Sequence, residues 1–194
     1  MRHALLVAIA AASLLPGCSD PALFAQLDVP TVRVTLPSQS FPASSAVAQY
    51  PCAPPPAQQD CVATDLTYDL STQLPIVSKP NVSYELRLTS VSIALRTNGS
   101  GTDLGGVKAV AIRIDPQATG GGIVVASYAR SAADPHPTSI AVAGDSSVDL
   151  ASYVRSGQLP IRVEMTFDAP TPAFTADVTS TYELQAKVDW GAYL

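Results

Sequence analysis

Few residues in this chain have the type and spacing to do chemistry. His136 stands between prolines in Asp134-Pro135-His136-Pro137, and the other histidine, His3, precedes a long apolar run. A Ser-His-Asp triad would have to use His136, and no G-x-S-x-G elbow accompanies it. Cys52 and Cys61 are separated by eight residues, which is not a zinc spacing, and no histidine cluster sits beside them. The glycine-rich stretch Asn98–Gly106 lacks the lysine of a phosphate-binding loop and reads as a turn between strands. Carboxylates come close in sequence as Asp65 with Asp69 and Asp145 with Asp149. A glycosidase needs two of them facing each other at roughly 5–9.5 Å, a separation that spacing alone does not establish. The three glutamates, Glu85, Glu164 and Glu183, fall on the outward parity of their strands. Glu164 and Glu183 are expected opposite Arg162 and Lys187 as surface pairs. Asn98, Asp103 and Asp145 offer oxygens to calcium, but no D-x-[DN]-x-[DN]-G loop organises them. The expectation is a chain with no catalytic, metal or cofactor site. Trp190 and Tyr193, beyond the last strand, either cap the end of the fold or form a contact patch.

The first eighteen residues carry a different kind of chemistry. Met1-Arg2-His3 supplies a positive start, and Ala4–Leu15 is an apolar run of 12 residues. As a helix that run covers about 18 Å, short of the roughly 30 Å hydrocarbon core, so it reads as a signal peptide. The stretch Leu15-Pro16-Gly17-Cys18 that follows resembles the lipobox of bacterial lipoproteins. Leu15, Gly17 and Cys18 match its aliphatic, small and obligatory cysteine positions, and Pro16 stands where Ala or Ser is commoner. The resemblance implies cleavage after Gly17, leaving 1–17 as leader, and diacylglycerol on the Cys18 sulfur, with further acylation of the new amine. Two or three acyl chains hold a protein stably on a bilayer, whereas one binds reversibly. By the same resemblance, Ser19 rather than Asp directly after the cysteine implies the outer membrane. The alternative is an ordinary secretory signal with an incidental cysteine.

With Cys18 lipidated, the odd count of three cysteines resolves to one pair. A Cys52–Cys61 disulfide is then expected in an oxidising compartment. It would close a loop shorter than fifteen residues, contributing somewhat under ~3 kcal/mol.

The rest of the chain reads as strands. It is 47% hydrophobic and 14% charged, too apolar and too weakly charged for a disordered segment. A net charge of −5 without a Lys/Arg cluster argues against nucleic acid. Residues 18–27 are expected to be a tether, and 28–194 one domain. Thr31–Leu36 alternates with the period of a half-buried strand. The six prolines of 37–62 suggest a long surface loop pinned by the disulfide. Shorter alternations follow at Leu66–Leu70, Val107–Ile114, Ile123–Tyr128 and Ser139–Ala143. In 82–96 the apolar parity shifts between Leu88 and Val91, which predicts a bulge or break at Thr89-Ser90. Asp149 as N-cap, Leu150, Tyr153 and Val154 on one face, and Gly157 as a left-handed cap predict one short helix near 149–156. Ile161–Asp168 and Phe174–Val188 alternate most clearly, with Ser180 the one polar residue on the inner parity of the second. The Pro-containing stretch between them is expected to close a hairpin.

These elements predict an all-β, antiparallel β-sandwich, jelly-roll-like or Ig-like. The expected function is a lipid-anchored cell-envelope structural or protein-interaction module without catalysis. Its partner would be an envelope protein or a polysaccharide, and the membrane is engaged through the acyl anchor on Cys18. An extracellular glycan-binding module, which needs a strip of exposed aromatics, and a small carboxylate-dependent glycan-processing enzyme are the alternatives.

Overall fold

The computed structural model of the protein describes residues 24–44, 61–79, 82–96, 103–115, 122–132 and 137–189. The fold is all-β and antiparallel. Eight strands follow in chain order: β1 (Phe24–Phe41), β2 (Cys61–Asp69), β3 (Val82–Leu95), β4 (Val107–Ile114), β5 (Ile123–Ala129), β6 (Ser139–Gly144), β7 (Gln158–Phe167) and β8 (Phe174–Asp189). Their hydrogen-bonded order is β1-β8-β3-β6-β5-β4-β7-β2. β5 and β6 are joined by only two residue pairs, Ala126 with Gly144 and Ser127 with Ala143. The sheet therefore folds at that seam into two layers, β1-β8-β3-β6 and β2-β7-β4-β5, which is the connectivity of a jelly roll.

The inner faces of both layers supply one core. Leu86, Leu88, Val91 and Ile93 of β3 and Val178, Tyr182 and Leu184 of β8 are buried with Leu66 and Tyr68 of β2 and Ile161, Val163 and Met165 of β7. Across the core, among the described residues, the two layers meet through a side-chain hydrogen bond. Ser180 Oγ on β8 donates to Tyr68 Oη on β2 at 2.6 Å, and the Tyr68 and Tyr182 rings meet edge to face at 6.2 Å. The polar residue on the inner parity of β8 is thus a buried hydroxyl with a partner, as a buried hydroxyl must be.

The bulge expected at Thr89-Ser90 is present. Leu88 pairs with Tyr182 and Ser90 with Thr181, leaving Thr89 extra. Gly144 packs on that bulge, and a Cβ there would lie 2.2 Å from the Leu88 carbonyl oxygen.

Other expectations are corrected. β7 and β8 do not form a hairpin. β7 lies between β2 and β4, β8 lies between β1 and β3, and 168–173 crosses from one layer to the other. Two amphipathic strands satisfy their alternation equally well by pairing with each other or by facing each other across the core, and here they face. β1 is longer than the alternation of 31–36 indicates. It includes 24–27, expected as tether, and continues through Pro37 to Phe41. It pairs only with β8, and its register slips at Val29/Val32 and at Leu36/Gln39, the places that hold Pro30 and Pro37. An edge strand with irregularities can carry proline because no ladder bond is asked of the missing N–H. Ser38 absorbs the second slip at φ 54°.

The expected helix near 149–156 shrinks to one 3-10 turn, Ala151–Tyr153. Asp149 Oδ1 does accept from Ala151 N at 2.9 Å, but also from Leu86 N at 3.0 Å on β3. The carboxylate stands where β6 has already ended and completes the bonding of β3. Gly157 is left-handed at φ 76°, as expected, but beside Ser156 at φ 52°. The two form a tight turn closed by Arg155 and Gln158, which bond each other's main chains at 2.8 and 2.9 Å. Consecutive left-handed residues are the mark of a type I′ hairpin turn. A short α-turn, Leu70–Gln73, and a 3-10 turn, Pro75–Ser78, follow β2.

Candidate functional site

The strand register sorts the connections into two ends. Phe24 pairs with Asp189, and Val188 with Val82. The start of β1, the end of β8 and the start of β3 therefore share one end, here called the base. The links β2–β3, β4–β5 and β6–β7 lie there too. The opposite end, the crown, carries the links β1–β2, β3–β4, β5–β6 and β7–β8.

The crown is braced across loops. Arg130, after β5, donates to the Gly105 carbonyl before β4 and to the Asp168 carboxylate after β7. Asp168 N donates to Gly106 O at 3.0 Å. Gly106 has no room for a side chain, since a Cβ would lie 2.2 Å from Thr171 Oγ1 and 2.9 Å from Ala169 O. Ser44 and Thr171, both buried, exchange two bonds, Ser44 N to Thr171 O at 3.0 Å and Thr171 N to Ser44 Oγ at 2.8 Å. Arg96 reaches Asp177 at 2.9 Å and the Ser38 hydroxyl. Ser38 N donates to the same carboxylate. Phe41 and Phe174 stack beneath, with centroids 5.0 Å apart.

The base is built from turns that cap themselves. Asp69 accepts from Ser71 N and Ser71 Oγ. That hydroxyl bond, with the main-chain bonds after it, holds the carboxyl below its usual value. Asp145 accepts from Ser147 in the same way, and its carboxyl is likewise lowered. Ser83, Tyr84, Glu85, Gln185 and Lys187 line a shallow depression of about 200 Å³ between β3 and β8. Burial, then the nearby Asp149 charge, raises the Tyr84 phenol. Lys187 and Lys79 are exposed.

The carboxylates singled out in sequence are acceptors in turns and ion pairs. Asp65 takes Arg162 through two bonds, at 2.6 and 2.9 Å. The cross-strand pairing expected of Glu164 and Glu183 with Lys187 and Arg162 is corrected by this, because β7 and β8 are not neighbours and Arg162 lies opposite Asp65 in the β2–β7 register. Glu164 is not a surface residue either. It is 5% exposed and bonded to Arg113 on β4 at 2.8 Å. Small residues flank it on both sides, Ala63 on β2 and Ala111 on β4, which lets the long arginine close over it. Glu183 pairs in register with Arg87 on β3 rather than with Arg162 on β7. Asp103 accepts from Gly105 N at 2.8 Å, fixing the turn into β4. Among the described residues no three of His, Cys, Asp and Glu gather as a metal ion would need.

Tyr68 and Tyr182 were missed as a polar centre by sequence reasoning. The signal available was Ser180, a hydroxyl on an otherwise apolar parity. Burial pushes the Tyr68 phenol up to about 12, and the Ser180 bond partly offsets this. Burial, then the charge that Tyr68 would carry, pushes Tyr182 up as well. The aromatics whose side chains are described belong to the core or pack against it: Phe41, Tyr68, Phe167, Phe174 and Tyr182 are buried, and Tyr84, Tyr128 and Tyr153 are partly buried on the core's margin.

Cys61 is disulfide-bonded and buried at the start of β2. Cys18, Cys52, Asn98, His136, Trp190 and Tyr193 lie outside the described residues, as do the leader and most of the proline-rich loop. Among the described residues no helix is long and apolar enough to cross a membrane. Compared with models of known families, with curated proteins and with solved structures, the chain finds no match.

Proposed function

We propose that the protein is a lipid-anchored structural or protein-interaction module of the cell envelope, without catalysis, held at the outer membrane by acyl chains on Cys18. The observation that carries this reading is Leu15-Pro16-Gly17-Cys18 directly after twelve apolar residues. The braced crown supports it, since loops tied to one another present a fixed surface at low entropic cost of binding. The partner in this reading is another envelope protein or a polysaccharide. A Cys52–Cys61 disulfide, formed after export, belongs to the same proposal.

Metabolic labelling with a palmitate analogue tests it. The expected result is a labelled protein in the membrane fraction and an unlabelled, released Cys18→Ala variant. An unlabelled wild type, with fractionation unchanged by Cys18→Ala, overturns the proposal. Non-reducing mass spectrometry of the exported protein is expected to give a peptide linking Cys52 to Cys61.

A further inference from the structure

We infer that the base of the sandwich, at the end carrying Lys79 and Lys187, rests at the phospholipid headgroups while the crown points away from the bilayer. The inference rests on acylation of Cys18 as proposed above; what it adds is an orientation and a contact surface. Phe24 already belongs to β1 and is paired with Asp189. Only residues 19–23 separate it from Cys18. Six residue steps span at most about 20–22 Å when fully extended. The start of β1 therefore cannot leave the neighbourhood of the lipid. The end of β8 and the start of β3 share its position through the register Phe24–Asp189 and Val188–Val82. β1 then runs 18 residues to Phe41, on the order of 50 Å of strand, so the crown is placed far from the point of attachment.

Two of the three lysines stand at the same end, the third, Lys108, being exposed at the start of β4 on the crown. The chain has three lysines, Lys79, Lys108 and Lys187. Lys187 pairs in register with Gln26 and Ser83 at the base, and Lys79 stands three residues before β3. Both are exposed, and neither takes part in an ion pair among the described residues. Of the described arginines, Arg87, Arg96, Arg113, Arg130, Arg155 and Arg162 are bonded to carboxylates, and Arg33 is exposed on β1 without an ion pair among the described residues. An ammonium free of a protein partner and close to an anionic leaflet contributes about 1 kcal/mol to association. The depression beside Lys187 adds Ser83 and Gln185, whose side chains can bond phosphate oxygens, and Glu85, whose carboxylate is taken by Arg87. The chain as a whole is acidic, at net −5, so an anionic surface repels it in general and the two lysines count only where they stand closest to the headgroups.

The test uses the full-length acylated protein in vesicles of phosphatidylethanolamine and phosphatidylglycerol with a headgroup-labelled acceptor lipid. A fluorescent unnatural residue is placed at Gln73 on the base or at Ala173 on the crown, both exposed. Energy transfer is expected to be several-fold stronger from Gln73. Equal transfer, or stronger transfer from Ala173, overturns the orientation. Flotation of the same samples reads the anchor separately. Protein that floats but shows no contrast refutes only the orientation, and protein that does not float refutes the acyl anchor and this inference with it. Replacing Lys79 and Lys187 together by Ser is expected to narrow the contrast by about twofold while flotation persists. An unchanged contrast removes the lysines from the contact.

Discussion

The crown and the base solve the same problem, holding interstrand links in place, with different chemistry. At the base most side-chain caps take partners near in sequence: Asp69 with Ser71, Asp145 with Ser147, Asp149 with Ala151, and Arg155 bonds Gln158, while Asp149 also accepts from Leu86 and the Gly157 carbonyl accepts from Leu70 and Ser71 across the chain. At the crown they are remote. Arg130 and Gly105 are 25 residues apart, Arg96 and Ser38 are 58 apart, and Ser44 and Thr171 are 127 apart. The base's exposed pair, Arg155 with Asp115, spans only 3.3 Å of solvent-washed contact, with the arginine side chain 73% exposed, and such pairs add little. The caps of a base turn can therefore form as soon as its own residues are placed, with the bonds to Gly157 and Leu86 added on docking, whereas a crown brace exists only after remote loops have met. Damage at the crown should spread from loop to loop, and damage at the base should stay where it is made.

The largest expected effect comes from filling Gly106. Gly106→Val should cost about 3 kcal/mol, because the new side chain meets Thr171 and the Ala169 carbonyl within contact distance. Chemical denaturation measures it, and hydrogen exchange should show the amides of Ser44 and Asp168 loosening together. If only Asp168 loosens, the crown is not one unit.

Alkali provides a measure that should affect both ends alike. The Tyr68 phenol titrates near 12 in the folded protein against 10.0 unfolded. A raised folded value means stability that is fully present below pH 10 and lost as pH climbs through 12. That is roughly 3 kcal/mol from Tyr68, and Tyr182, shifted in the same direction, adds to the loss. Tyr68→Phe should remove part of the decline between pH 10 and 12. A decline identical in the variant would place the alkaline weakness elsewhere than between the layers.

Arg130→Ala removes the brace shared by the Gly105 and Asp168 loops. About 1–2 kcal/mol is expected, reduced from a fully buried pair by screening at the partly exposed carboxylate. Asp149→Ala, the matching change at the base, leaves the Leu86 and Ala151 amides without their acceptor and should cost about 1–2 kcal/mol. The two differ in reach. Exchange should quicken at several crown loops in the first and only near Leu86 and Ala151 in the second.

Asp69→Ala should do least. It removes one of the two acceptors of the Ser71 amide, leaving the Gly157 carbonyl at 3.2 Å, quickens exchange within Leu70–Gln73, and leaves the global midpoint nearly unchanged. Because its folded value is lowered, the small contribution of Asp69 is present above about pH 4 and fades as the carboxyl protonates in acid. A global loss in this variant would erase the contrast between the ends.

The same contrast explains what could be read in advance. Asp149 and Gly157 are visible as cap and left-handed residue because their bonds are local, although the helix between them is only a 3-10 turn. The bulge at Thr89 is visible because a parity shift is a local pattern. Glu164 was assigned to solvent by parity alone. Its burial depends on Arg113 and on the small Ala63 and Ala111 in neighbouring strands, which no window of sequence contains. The hairpin expected of β7 and β8 failed for the same reason, since alternation specifies which face is apolar and not which strand lies beside it.

By itself the sequence determined most of the strands, the inward parity of those that alternate clearly, the cap at Asp149 and the two-layer antiparallel class, because these follow from side-chain period and short-range hydrogen bonding. Only the tertiary structure decided that β7 and β8 sit in opposite layers, that Ser180 meets Tyr68 across the core, and that remote loops lock into one crown. Those contacts require the two layers to have closed on each other, and the free energy that selects among possible pairings comes from apolar surface buried jointly by residues far apart in the chain.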